Sequence, residues 1–147
     1  MSRCFFPQLE EVQALEPYRL RTRWNTGETL EVEVGDRLRS IAVLAPVLAP
    51  EVFATAHIAE WGGSVEWFDT EFGADNLYAW AKEQAGLPSH EQFDAWMRRN
   101  ALNPTAAAEA LGLSRRTVGY YRTAQRPIPK TVWLACLGYD SLRQQAA

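Results

Sequence analysis

The sequence predicts an α+β N-terminal domain of antiparallel hairpins and helices, followed by an all-α C-terminal domain. Three observations carry this reading. Apolar and charged residues alternate from Tyr18 to Val34 with the two-residue period of a half-buried hairpin. After a Gly86-Leu-Pro88 break the period becomes helical, with capping residues ahead of each apolar run. The charge changes sign at the same place. Residues 1–88 hold 7 Lys and Arg against 14 Asp and Glu, a net of −7, and residues 89–147 hold 8 against 4, a net of +4. We therefore read 1–88 as a small α/β domain and 89–147 as a separate helical domain, of which only the second favours phosphate.

A chain of 147 residues buries about two-thirds of its unfolded surface and needs no disulfide or metal to fold. The aromatic content of 12% excludes a disordered chain. The longest weakly polar run, Ile41 to Pro50, is broken by Pro46 and Pro50 and falls well short of the roughly 18 residues a membrane span needs. No membrane partner is expected. The N-terminus turns acidic at Glu10 and Glu11 before a signal-peptide core can form, so a soluble cytoplasmic protein is expected. Cys4, Cys136, His57 and His90 are too scattered to write a metal-ligand set or a disulfide framework. Two reduced thiols follow, Cys136 in a helix core, with no cofactor and no metal.

In the N-terminal part, Tyr18, Leu20, Thr22 and Trp24 share one strand face, and Arg19, Arg21 and Arg23 share the other. Asn25-Thr26-Gly27 is a three-residue loop with Gly at its left-handed last position, which is a common hairpin connection. That loop places Leu20 opposite Val32, Arg21 opposite Glu31 and Arg19 opposite Glu33. The arginine row is then neutralised across the strand, as a solvated face. A second hairpin is expected about Trp61-Gly62-Gly63-Ser64, since Gly-Gly suits a two-residue turn. Strands of about five residues then bring Ile58 near Trp67 and His57 near Phe68. Pro50-Glu-Val-Phe-Ala can begin a short helix, and Ala74 to Ala85 reads as a longer one with Leu77, Trp80 and Ala81 on one side. Gly86-Leu-Pro88 ends it.

This part, about residues 7–80, resembles the family called domain of unknown function 2442. The likeness lies in Tyr18-Arg-Leu-Arg-Thr-Arg-Trp, the Asn25-Thr-Gly27-Glu turn, Pro50-Glu-Val-Phe53, Val65-Glu-Trp67 and Asp75-Asn-Leu-Tyr78. The resemblance implies a fold but no assigned chemistry.

In the C-terminal part, Ser89-His-Glu-Gln92 fits a capping box. Phe93, Trp96, Met97 and Ala101 then follow at helical spacing, for a first helix to about Asn100. Asn103 is a favoured cap and Pro104 a favoured first residue, so a second helix runs to Leu111 and stops at Gly112. Ser114 caps a third helix through Thr123. Two helices of about eight residues joined by a three-residue, glycine-containing turn describe a helix-turn-helix. Leu113, Val118 and Tyr121 face inward, leaving Arg115, Arg116, Gly119, Tyr120 and Arg122 outward. Arg126-Pro-Ile-Pro129-Lys starts a fourth helix that is expected to end at Gly138.

Residues 90–140 resemble the lambda-repressor-like, Cro/XRE-type DNA-binding domain. The matching run is Ala107-Ala-Glu-Ala-Leu-Gly112-Leu-Ser-Arg-Arg-Thr-Val118, followed by Tyr121 and Arg126-Pro-Ile-Pro129. The resemblance implies a recognition helix at about 114–123 lying in the major groove. It implies base reading by Arg115 and Arg116, with Gly119 and Tyr120 on the same face, and phosphate contacts from Asn103, Ser114, Arg122, Arg126 and Lys130. Three positions depart from the family pattern. Pro104 stands where Gln usually binds phosphate, Ala124 stands where Gly commonly follows the recognition helix, and Gly119 lies inside that helix.

These readings imply a sequence-specific, bacterial-type transcriptional regulator that binds double-stranded DNA as a homodimer, while the acidic domain senses, dimerises or recruits. The alternative is an antitoxin-like or other protein-interaction module whose acidic N-terminal domain binds a protein partner, with a degenerate or autoregulatory helix-turn-helix. An enzyme is not expected. The chain shows no Gly-rich phosphate loop, metal cluster or nucleophile elbow, and acids such as Glu66 and Asp69 read as a solvated strand end.

Overall fold

The computed structural model describes residues 7–146, which form two compact units that part between Ala85 and Gly86. Cys4, read above as a reduced thiol, lies outside the described residues.

The first unit opens on a three-stranded antiparallel sheet, β1 (Leu9–Leu15), β2 (Arg19–Trp24) and β3 (Thr29–Glu33), in that order. Leu20 pairs with Val32, Arg21 with Glu31 and Arg19 with Glu33, the register that alternation predicts. Gly27 closes the loop at φ +90°, where a side chain would be strained. Leu20, Trp24 and Val32 are buried, and so is Thr22. That hydroxyl is satisfied on both sides, donating to the Leu30 carbonyl and accepting from Trp24 Nε1, each at 2.8 Å. On the open face Arg19 and Arg21 both pair with Glu31, at 2.8 and 3.1 Å, while Arg23 pairs with Glu10 and Glu11. The partner of Arg19 is therefore the diagonal glutamate, and Glu33 instead accepts from the Gly35 amide. Strand β1 is hidden from a periodicity reading because the register shifts between Leu9 and Glu11, which breaks the two-residue alternation.

The second sheet, β4 (His57–Ile58), β5 (Ser64–Trp67) and β6 (Thr70–Gly73), corrects the expected Gly-Gly hairpin. Ile58 pairs with Val65 and His57 with Glu66, two residues away from the predicted partners. The connection is longer than a two-residue turn because Trp61 and Gly62 both take left-handed backbone, φ +66° and +67°, within a 3-10 segment at Glu60–Gly62. Gly62 is required there, since a Cβ would lie 2.3 Å from the Leu9 carbonyl oxygen. His57 Nε2 faces Glu66 Oε1 at 3.4 Å. The two-residue turn falls instead at Phe68 and Asp69, between β5 and β6.

Four helical segments complete this unit: α1 (Gly35–Ser40), a 3-10 segment Ala42–Leu48, α2 (Pro50–Phe53) and α3 (Ala74–Gln84). Leu77, Tyr78 and Ala81 of α3 are buried, whereas Trp80 is only half-buried, with the Arg37 guanidinium 3.8 Å from its ring centroid. The Tyr78 ring meets Trp24 edge-on at 5.1 Å. Its hydroxyl and the Lys82 ammonium, both from α3, donate to the Glu28 carboxylate at the foot of the β2–β3 hairpin.

The second unit is all helical: α4 (His90–Arg99), α5 (Pro104–Leu111), α6 (Arg115–Arg122) and α7 (Lys130–Ala146). The Ser89 hydroxyl accepts from the Gln92 amide and Gln92 accepts from the Ser89 amide, which closes the capping box at the start of α4. Phe93, Trp96, Met97, Ala107, Ala108, Val118, Tyr121 and Cys136 form the core. Burial of the larger side chains stabilises the unit by about 2 kcal/mol each. Burial, reinforced by the negative charge of Asp140, pushes the Cys136 thiol up to about 12, so it is an inert core residue. The last helix does not end at Gly138 as expected. An interior glycine costs a helix about 1 kcal/mol, but Asp140 binds Arg99 and Asn100 while Arg143 donates to the Asn100 carbonyl, and these contacts carry α7 on to Ala146.

Candidate nucleic-acid interface

Helices α5 and α6 are eight residues each and are joined by Gly112, Leu113 and Ser114. Gly112 takes φ +70° and ψ +35°, the left-handed cap that stops α5 and redirects the chain. The Leu113 amide donates to the Ala108 carbonyl at 2.9 Å, which tightens the turn. Ala107 and Ala108 on α5 and Val118 and Tyr121 on α6 are buried together, so the small residues of α5 let α6 approach. The Ser114 hydroxyl accepts from the Thr117 amide at 3.1 Å and caps α6.

This packing fixes which α6 side chains point away from the core. Arg115 and Arg116, in the first turn, are exposed and make no ion pair among the described residues. Gly119 is half-buried, and a Cβ built there meets nothing within 4 Å, so the helix surface beside it is open. Tyr120 is half-buried, with the Arg126 guanidinium 4.4 Å from its ring centroid. Lys130, at the start of α7, is exposed.

One placement differs from the sequence expectation. Arg122 is not free on the outer face: its Nε and Nη2 meet Asp94 Oδ1 at 3.0 and 2.9 Å. Asp94 on α4 also holds Arg98 at 3.0 Å. The Asp94–Arg98 pair is legible from its four-residue spacing, but Asp94–Arg122 depends on how α4 and α6 cross. The Asn103 side-chain carbonyl accepts from the Ala106 amide at 2.7 Å as the α5 cap, which leaves its NH₂ group as the outward donor. Pro104, next in line, has no N–H to offer.

The remaining cations of this unit are internally occupied. Arg99 binds Asp140 at 2.6 Å, and Arg143 donates to Asn100. Among the described residues, the cations left for an external anion are Arg115, Arg116, Arg126 and Lys130, on α6, the segment that follows it and the start of α7. In the first unit the arginines of β2 are all paired with glutamates, and His57 has one carboxylate neighbour. Among the described residues no group of three or more His, Cys, Asp and Glu could hold a metal ion, and no helix is long and apolar enough to cross a membrane.

Comparison with known proteins gives two matches. The family model described as protein of unknown function (DUF2442) matches residues 9–83, just over half of the chain. Among solved structures, the chain is similar to a protein of Nitrosomonas europaea provisionally named a DNA-binding protein. The two share 68% identity with a TM-score of 0.90, and the match covers 97% of this chain and 92% of the other. Both units are therefore included. No curated protein matches.

Proposed function

We propose, for a chain that belongs to the DUF2442 family of proteins of unknown function, that the basic helical unit is a lambda-repressor-like helix-turn-helix, with α6 as a recognition helix that reads double-stranded DNA. One observation carries the reading. Of the arginines in this unit, the pair that opens α6 is exposed and uncommitted, whereas Arg98, Arg99 and Arg122 are held by carboxylates. Arginines at the first turn of a recognition helix reach guanine O6 and N7. The provisional name of the Nitrosomonas europaea relative supports the same reading.

In this reading Arg115 and Arg116 read bases, the open surface at Gly119 admits a base edge or the backbone, and Arg126, Lys130 and the Asn103 NH₂ hold phosphates. Arg122, fixed by Asp94, shapes the interface instead of contacting phosphate. One such unit makes few contacts, so useful specificity requires two copies on half-sites about one helical turn apart. The protein then acts as a dimeric transcriptional regulator without catalysis, working in the cytoplasm where the genome is.

The deciding experiment is selection of bound duplexes from a random library by the full chain, followed by salt titration of the winning sequence. A two-fold symmetric motif is expected, with affinity falling steeply as salt rises, since each neutralised phosphate contributes a slope of about −0.9. Recovery of no motif, together with stoichiometric capture of a basic protein through the acidic unit, would replace this reading with the protein-interaction one.

A further inference from the structure

We infer that the open edge of β3 is a docking ledge for an extended, basic segment of a partner protein, which adds to the first sheet as a fourth strand. β3 ends the order β1, β2, β3, so one of its long sides has no neighbouring strand among the described residues. The register says which residues face that side. The Trp24 amide donates to the Glu28 carbonyl and the Val34 amide to the Tyr18 carbonyl, both at 2.9 Å. Backbone groups alternate along an antiparallel strand, so Leu30 and Val32 turn theirs to β2, while Thr29, Glu31 and Glu33 turn theirs outward. Unpaired N–H and C=O groups on an edge are a template for another chain, and main-chain bonds supply the affinity when an extended peptide adds there.

One of the three outward positions is already filled, in the manner of a strand. The Gln84 side chain, at the end of α3, accepts from the Glu33 amide at 2.7 Å and donates to the Glu33 carbonyl at 2.9 Å. A single carboxamide thus makes both bonds that a facing strand residue would exchange. It leaves the outward groups of Thr29 and Glu31, about 7 Å apart along the strand, for an external backbone. Beside them runs a groove of about 450 Å³ between β3 and the face of α3 that carries Ala81, Gln84 and Ala85. The two alanines keep that wall low, which leaves room for the side chains of an added strand.

Charge selects the occupant. On the open face of the sheet the signs alternate strand by strand. Glu10 and Glu11 of β1 bind Arg23 of β2, and Arg19 and Arg21 of β2 bind Glu31 of β3. The next strand in that series is basic. Glu33 has no cation partner among the described residues, and its carboxylate accepts from the Gly35 amide. A Lys or Arg placed opposite Glu31 lies diagonally beside Glu33, within reach of that carboxylate. The intervening side chains of the segment turn to α3, where β-branched apolar groups meet Ala81 and Ala85. A second copy suits the edge poorly. Two β3 strands paired about a two-fold axis at Glu31 would set that glutamate against its own copy, and like charges directly opposite are destabilising. The ledge lies in the first unit and shares no residue with α5 or α6, so it stands apart from the DNA reading.

The test follows the amide NMR spectrum of the full chain during titration with acetyl-Lys-Val-Lys-Val-Lys-amide. Shifts centred on Thr29 and Glu31 are expected, with slowed hydrogen exchange of those two amides. Two control peptides separate backbone from charge. N-methylation at each lysine keeps the charge but removes the donors to β3, and Glu in place of Lys keeps the backbone but reverses the charge. Each should bind about tenfold more weakly, since main-chain bonds give affinity and side chains give specificity. Gln84→Ala, an exposed change to a strong helix former, uncovers the Glu33 groups. That variant should bind the lysine peptide several-fold more tightly, with shifts extending to Glu33. An unshifted edge at millimolar peptide, equal binding of either control peptide, or no gain in Gln84→Ala would each overturn the assignment. So would concentration-dependent shifts of the same amides without peptide, which would give the edge to a second copy. Peptide binding by a chain that selects no duplex leaves this surface standing and removes the DNA reading, and a selected duplex without peptide binding does the reverse.

Discussion

The guanidinium of Arg126 lies over the ring of Tyr120, 4.4 Å from its centroid. The backbone builds this contact. Ala124 turns the chain at φ +61° and is itself buried, and the Gln125 amide donates back to the Tyr120 carbonyl at 3.0 Å. Tyr120 thus serves as a platform that points a cation along the edge of the α6 face.

Replacing Tyr120 with Leu should therefore weaken binding to every duplex by about threefold, the worth of a partly exposed cation–π contact of about 0.7 kcal/mol. The salt slope should fall by about 1 as one phosphate contact loosens. Tyr120→Phe keeps the ring and should bind like the wild type. Fluorescence anisotropy on selected and scrambled duplexes makes the measurement. A change in the selected sequence instead of a uniform loss would return Tyr120 to base reading.

Arg115→Ala and Arg116→Ala should each cost about 1–3 kcal/mol on the selected duplex and much less on random DNA, because a bidentate guanine contact discriminates between bases. Lys130→Ala should weaken both by the same factor. Melting temperatures should not move, since all three side chains are exposed. Competition binding with single-base variants of the site would show which position each arginine reads.

Where the chain speaks locally, the sequence was legible. The β2–β3 register follows from a three-residue loop and strict alternation, and α4, α5 and α6 begin where Ser89, Asn103 and Ser114 cap them. What escaped depends on contacts between distant residues. Strand β1 is masked by its register shift, and the second sheet's register depends on Gly62 packing against Leu9. Continuation of α7 past Gly138 depends on Asp140 and Arg143 reaching α4 and the residue that follows it. At the candidate site, exposure of Arg115 and Arg116 followed from helical spacing, whereas the capture of Arg122 by Asp94 needed the crossing of two helices.

Gly62→Ala should destabilise the first unit by about 3 kcal/mol. Its left-handed backbone alone costs a side chain about 1–2 kcal/mol. The added Cβ would also sit 2.3 Å from the Leu9 carbonyl oxygen, so β1 must shift. Gly63→Ala is the control: the nearest atom to its Cβ is 4.0 Å away, and its φ of −86° suits any residue. Urea denaturation followed by tryptophan fluorescence should separate the two variants by most of that difference. Equal stabilities would show that β1 is not pinned at this point.

The Glu28, Tyr78 and Lys82 cluster should give the first unit a stability that falls at both ends of the pH scale. Burial opposes ionisation of Glu28, but hydrogen bonds from Lys82 and Tyr78 outweigh it and hold the carboxyl below its ordinary 4.5. A carboxyl depressed in the folded state contributes stability above its unfolded value and loses it as pH falls through the folded one. Burial and the hydrogen bond to Glu28 raise the Tyr78 phenol above its ordinary 10.0, so that contribution is complete below pH 10 and is lost as pH rises further. Glu28→Gln leaves Lys82, 6% exposed, without its counter-charge, and should cost about 3 kcal/mol at pH 7. The gap between variant and wild type should hold from pH 7 to about 5, then narrow as acid protonates the wild-type carboxyl. Urea denaturation at pH 3, 4, 5 and 7 measures it, and a gap unchanged at pH 3 would show that the Glu28 charge does not fasten α3 to the hairpin.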